Sequence, residues 1–162
     1  MSASTRAAAE LRELLVVTLD GDSFALAVED VREVLRAAQP MALANAPAIV
    51  EGVLNVRGEL VPLLSIRSRL GHAARELRAA DYIVVARASR RVVAFAVDAV
   101  VELRRVPAGD ITEAAALVRG TSHVEGIATL ADGAMVIHDL GALLDADELF
   151  VLGRALAGKV GA

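Results

Sequence analysis

The stretch Ala44-Asn45-Ala46-Pro47-Ala48-Ile49-Val50-Glu51-Gly52-Val53-Leu54-Asn55-Val56-Arg57-Gly58-Glu59-Leu60-Val61-Pro62-Leu63-Leu64 decides how this chain is read, because its second half returns downstream in a weaker form. Val124-Glu125-Gly126-Ile127 repeats Val50-Glu51-Gly52-Val53 at a spacing of 74, and Met135-Val136 repeats Leu60-Val61 after one inserted residue. Upstream, Ala25-Leu26-Ala27-Val28-Glu29-Asp30-Val31-Arg32-Glu33-Val34 is echoed by Ala94-Phe95-Ala96-Val97-Asp98-Ala99-Val100-Val101-Glu102-Leu103 at a spacing of 69. Two blocks in the same order at nearly equal spacing describe one module of roughly seventy residues used twice. Two small subdomains sharing one interface are expected.

The apolar pattern around these blocks is mostly short β-branched runs punctuated by turn residues, which reads as strands. Leu14–Leu19 and Phe24–Val28 flank Asp20-Gly21-Asp22-Ser23, Gly52–Val56 and Leu60–Ile66 flank Arg57-Gly58, Tyr82–Ala86 and Val92–Val97 flank Arg87–Arg91, and Gly126–Leu130 and Met135–His138 flank Ala131-Asp132-Gly133. Each pair reads as a hairpin. Pro62 interrupts a strand and cannot donate to a ladder, so it is expected at an edge or bulge. Short strands with managed edges favour two small barrels. Helical signals are confined to Thr5–Glu13, a turn after Pro47, Ser68–Leu77 and Leu140–Ala157.

Composition narrows the function. With 162 residues and 56% hydrophobic content the chain can bury ~70% of its unfolded surface without an external staple. No Cys is present, which excludes disulfides, thiolate metal sites and cysteine nucleophiles. A net charge of −4 argues against nucleic acid as a partner, since phosphate neutralisation needs a concentrated positive field. Arg87, Arg90 and Arg91 form the densest basic cluster and read as a solvated hairpin tip. The longest uncharged run, Ala37–Val50, is broken by Pro40 and Pro47 and too short to span a bilayer, so no membrane insertion is expected. The first residues lack the basic-then-apolar order of a secretion signal, and a cytoplasmic protein is expected.

Catalytic patterns are weak. Gly153-Arg154-Ala155-Leu156-Ala157-Gly158-Lys159-Val160 imitates a phosphate loop, but Val160 stands where Ser or Thr must hold magnesium. His72, His123 and His138 lie at no zinc-site spacing, no Gly-x-Ser-x-Gly elbow occurs, and a long-range Ser-His-Asp triad is without support. The expectation is a protein with no catalytic residues, cofactor or metal. A nucleotide-binding enzyme using Gly153–Lys159 is the competing class.

Three blocks in order then carry a resemblance: Ala44-Asn45-Ala46-Pro47-Ala48-Ile49, Gly52-Val53-Leu54-Asn55-Val56-Arg57-Gly58 with Val61-Pro62, and Arg91-Val92-Val93 leading to Val97-Asp98. From about Leu14 to Glu148 the chain resembles the CheW family of chemotaxis coupling proteins. The resemblance implies a mainly β fold of two pseudo-symmetric five-stranded SH3-like barrels packed side by side, with short helices at the margins and a C-terminal helix. The corresponding division is an extension at 1–13, a first barrel at about 14–72, a second at about 80–140, and a helix and tail at 149–162. It implies a non-enzymatic adaptor between the cytoplasmic tips of chemoreceptors and the regulatory domain of a chemotaxis histidine kinase. The alternative is a module of the same fold serving a different regulator in a non-flagellar chemosensory or motility pathway.

Comparison of the two copies selects candidate residues. Gly52 and Gly126, or Val28 and Val97, recur and are expected to be demanded by the barrel. Asn55 and Arg57 face Thr129 and Ala131, so they are carried by one copy only, at a hairpin tip where Gly58 permits a tight turn and Arg57 can project five donors. The family motif places partner contacts at this Arg. Val31 and Glu33 match family positions for receptor binding, yet Val100 and Glu102 repeat them, which also allows core or solvated-strand roles. Ser65 replaces the usual Asp of the family, and Ala94 and Ala99 replace glycines. These departures would alter surfaces that partners approach.

Overall fold

The computed structural model describes residues 10–113 and 123–161, the last three as backbone only. Among the described residues eleven strands and one α-helix are assigned: β1 (Leu11–Leu19), β2 (Asp22–Ala27), β3 (Val31–Arg36), β4 (Val50–Val56), β5 (Glu59–Leu64), β6 (Tyr82–Ala88), β7 (Arg91–Val97), β8 (Ala99–Pro107), β9 (Ile111–Glu113), β10 (Val124–Leu130), β11 (Gly133–His138) and α1 (Ala146–Gly161). The four hairpins read from sequence form as β1–β2, β4–β5, β6–β7 and β10–β11. In the first two, consecutive residues take positive φ, Asp20 (51°) with Gly21 (85°) and Arg57 (54°) with Gly58 (86°). That geometry is the primed turn whose twist matches the flanking strands.

The strands form two curled sheets, ordered β8-β1-β2-β11-β10-β9 and β3-β6-β7-β5-β4. These are the two SH3-like barrels, and each draws strands from both halves of the chain. A division near residues 72–80 therefore does not separate them. The first hairpin of each repeat has been exchanged: β1–β2 joins the strands of the second repeat, and β6–β7 joins those of the first. The exchange respects the duplication. The parallel contact Ala25↔Ile137 in one sheet corresponds to Ala94↔Leu63 in the other.

The exchange explains an apolar pattern that does not alternate. Leu14 and Ala25 point into the interior of the first barrel with Val106, Ala128 and Ile137. Ile83, Val85 and Ala94 point into the second with Leu54, Val56, Val61 and Leu63. The opposite faces of the same hairpins, Leu15, Val17, Leu19, Phe24 and Leu26 against Val84, Ala86, Val93, Phe95 and Val97, meet in the largest core, which lies between the barrels. Both hairpins are thus buried on two faces and must be apolar at consecutive positions. Leu152 and Leu156 of α1 cover the rim of this core.

The repeated glycines have one physical cause. Register slips between Val50 and Gly52 and again between Val124 and Gly126, leaving Glu51 and Glu125 as the extra residues of matching bulges. A Cβ on Gly52 would lie 2.4 Å from the Met41 carbonyl oxygen, and one on Gly126 would lie 2.7 Å from that of Thr112. Each glycine admits a crossing strand, β9 in one barrel and the single Met41↔Val53 bridge in the other. The first sheet therefore has six strands rather than five.

Other differences concern the margins. Of the helix expected at Thr5–Glu13, residues 5–9 lie outside the described residues and Leu11–Glu13 begin β1. Ser68–Leu77 yields only a 3-10 turn at Ser68–Leu70, ended by Gly71 at φ 82°. The last helix starts at Ala146 rather than Leu140 because Asp145 and Glu148 cap it reciprocally: the Glu148 N–H donates to Asp145 Oδ1 at 2.8 Å, and the Asp145 N–H donates to Glu148 Oε1 at 3.0 Å. Pro62 lies on β5, an interior strand, where it occupies a local edge. Its partner Val53 bonds to Met41 instead, and β7 begins pairing only at Leu63, so the missing N–H interrupts no ladder.

Gly52→Ala and Gly126→Ala are each expected to cost about 1–3 kcal/mol in urea denaturation, because backbone atoms must shift. Gly109→Ala, with nothing within 4 Å of the added methyl, serves as the control and stays within about 0.5 kcal/mol.

Candidate partner-binding site

At the tip of β4–β5 the turn is held by its own residues. The Gly58 N–H donates to Asn55 Oδ1 at 2.8 Å, so Asn55 fixes the turn that carries Arg57. Arg57 is 79% exposed, and its Nη2 stands 3.2 Å from Glu33 Oε1, a carboxylate only 16% exposed. Glu33 shares its face of β3 with Leu35, which packs against the interior of the second barrel. Arg57 therefore reaches back over the mouth of that barrel. Arg32 and Glu59 form a second bridge beside it at 2.9 Å. The structure thus brings together candidates that lie far apart in sequence: Glu33 on one side, Arg57 and Gly58 on the other. Val31 is partly buried and packs against the core between the barrels.

The other barrel closes its mouth with reversed polarity. There Arg104 on β8 faces Asp132 in the β10–β11 turn at 3.5 Å. Beside it Val101 and Leu103 stand exposed on β8. Of the departures from the family pattern, Ala94 is fully buried inside the second barrel and cannot meet a partner. Ala99 opens β8 opposite Thr18. Ser65 donates its N–H to the Ile49 carbonyl at 2.7 Å.

A charged cluster that sequence reading missed pins the exchanged hairpin. Arg67, 8% exposed, binds Asp20 in the β1–β2 turn, Asp98 where β7 passes into β8 at 3.2 Å, and the Ala73 carbonyl at 2.9 Å. Asp98 also accepts the Asp20 N–H at 2.6 Å and pairs with Arg75, which forms a two-pronged bridge with buried Asp81 at 2.8 and 2.9 Å. The Arg75 guanidinium holds the Asp81 carboxyl below its usual range, and Arg67 does the same for Asp20. His72 completes the group at 3.1 Å from Asp20. Arg67 and Asp98 both sit in or beside the quoted motifs, but their pairing spans 31 residues and no local spacing announces it.

The corresponding crossing in the other half is packed, not charged. Gly141 stands 74 residues after Arg67, and a Cβ there would lie 2.9 Å from Ser89 Oγ. Nearby His138 is half-buried edge-on to Phe24, with Nδ1 at 3.2 Å from the His123 carbonyl, and burial lowers its pKa below 6.5. Among the described residues no three His, Asp or Glu side chains are arranged to hold a metal ion, and no helix is long and apolar enough to cross a membrane.

Two interlocked barrels with ion-paired mouths of opposite polarity have the build of a protein-docking module. The model of the CheW-like domain matches residues 13–148, and the chain belongs to that family. It is 26% identical over 140 residues to the chemotaxis protein CheW of Klebsiella aerogenes, covering 85% of this chain and 84% of that one. It is 35% identical over 100 residues to the chemotaxis protein CheW of Rhizobium meliloti, covering 62% of this chain and 64% of the relative. The crystal structure of the scaffolding protein TtCheW from Thermoanaerobacter tengcongensis superposes with a TM-score of 0.75 at 25% identity, over 85% of this chain and 94% of that one.

Two outcomes follow from the charges. Arg67→Met leaves Asp20 and Asp98 facing one another and is expected to cost about 3 kcal/mol in chemical denaturation. Because native His138 resists protonation, the unfolded chain binds the proton first as pH falls below 6.5. The melting temperature should therefore drop on acidification through that range, and the drop should shrink in His138→Gln.

Proposed function

We propose that this chain is a non-enzymatic adaptor that couples the cytoplasmic tip of chemoreceptors to the regulatory domain of a chemotaxis histidine kinase. Its contact residues are Arg57, Gly58 and Glu33, with Asn55 and Val31 supporting them. The observation that carries this reading is the Arg57 guanidinium, which is largely in solvent yet held in place by a turn of fixed geometry and by Glu33. A preplaced donor fork loses little freedom when it meets a carboxylate or carbonyl group on a partner. The chemotaxis names of the relatives support this adaptor over a module for an unrelated regulator.

Two barrels with separate outer faces and one shared core suit an adaptor that holds two partners at once. Its influence on kinase activity is then bounded by its differential affinity for the partners' active and inactive states.

The test uses purified kinase regulatory domain and a receptor cytoplasmic fragment with two variants. Arg57→Glu should weaken at least one association by more than about 1 kcal/mol while the melting temperature moves by no more than a degree or two, since exposed charges contribute little to folding. Glu33→Arg combined with Arg57→Glu restores an internal ion pair in reverse. Under this proposal the double variant still binds poorly; recovery of full affinity would mean that Arg57 acts only through the internal bridge.

A further inference from the structure

We infer that the face formed by α1, the loop at residues 42–45 and the tip of β6–β7 is a second docking surface, fitted to an acidic amphipathic segment of a partner protein. α1 commits Leu152 and Leu156 to the core but leaves Phe150 66% and Val151 40% exposed. Opposite them Leu43 and its alanine neighbours form the other wall of a groove of about 860 Å³. The backbone of that wall is set by Asn45 in the left-handed region at φ 62°. A trough with apolar walls accepts residues spaced i, i+3, i+4 and i+7 on a helix, whereas a bilayer surface calls for a flat or convex face.

The charge of the rim selects the partner. Arg12, Arg32, Arg57, Arg67, Arg69, Arg75, Arg104 and Arg105 each stand within 4 Å of a carboxylate, whereas Arg36, Arg78, Arg87, Arg90, Arg91 and Arg154 form no ion pair among the described residues. Of these, Arg90, Arg91 and Arg154 lie about the helix, whereas Arg87 pairs with Val92 on the face of the hairpin turned toward the second barrel. Arg154 lines the groove, with its guanidinium 6.0 Å from the Phe150 ring centre. Arg91 lies against the next residue of the helix, its Nη2 3.3 Å from where a Gly153 Cβ would be. Arg90 is exposed at the tip of the same hairpin. A chain of net charge −4 that gathers unneutralised guanidiniums beside an exposed aromatic ring offers a local field for carboxylates and a cleft for the apolar side chains between them.

The probe is a fluorescent synthetic peptide with Leu at helical i, i+3, i+4 and i+7 positions and Glu elsewhere, titrated with the full chain at low and high salt. Saturable binding is expected, weakening with salt and by at least about fivefold in Arg90→Glu/Arg154→Glu and, separately, in Phe150→Ser. Both variants change exposed side chains, so their melting temperatures should match the parent, and Arg57→Glu should bind the peptide unchanged. The inference is overturned if the peptide fails to saturate, if a scrambled peptide of equal composition binds as well, or if neither variant matters. Capture by phosphatidylglycerol-containing vesicles without peptide binding would likewise overturn it, in favour of a membrane surface.

Discussion

Leu26 and Phe95, related by the duplication, lie in the core between the two barrels, where the two exchanged hairpins pack their shared apolar faces. Each exchanged hairpin supplies one face to the interior of a barrel built from the other repeat and its opposite face to the shared core. The interiors alone are small, a handful of aliphatic side chains each. Small cores are marginal in isolation, whereas exchange makes the two barrels one cooperative body. The charged cluster around Arg67 then fixes the turn of the hairpin where it emerges from this core.

Much of the architecture was legible because the duplication compares the chain with itself. Gly52 and Gly126 marked the barrel framework, and the structure supplies the reason: both sit where a carbonyl oxygen crosses too close for a side chain. The exchange was not legible, because repeats reveal which segments are alike and not which ones pair. A β1–β2 hairpin bonded to β11 or to β5 has the same local pattern. Pro62 marked a local edge, since β5 has no ladder partner on the proline's N–H side, but that β7 joins the strand from Leu63 onward is a non-local fact. The Asp145-x-x-Glu148 capping box, by contrast, was present in the sequence and fixed the helix start better than composition did.

The candidate site divides in the same way. Arg57 was legible as a polar residue carried by one copy on a tight turn. Its partner Glu33 was ambiguous, because the second copy carries Glu102 and only the curling of the sheet brings β3 over the β4–β5 turn. Asn55 proved to serve the turn itself, and Val31 the core. The two barrel mouths ended with opposite polarity, an exposed cation at Arg57 and an exposed anion at Asp132. Duplication followed by divergence at the tips gives one fold two chemically distinct ends, which suits the proposed discrimination between two partners.

Coupling requires that both partners occupy the chain together and that one alters the grip of the other. The most direct measurement is calorimetric titration of the chain with the kinase regulatory domain, alone and with saturating receptor fragment, in one buffer. The account predicts a ternary complex, with a kinase affinity that differs between the two titrations. Mutually exclusive binding, or affinities identical with and without receptor, would contradict it.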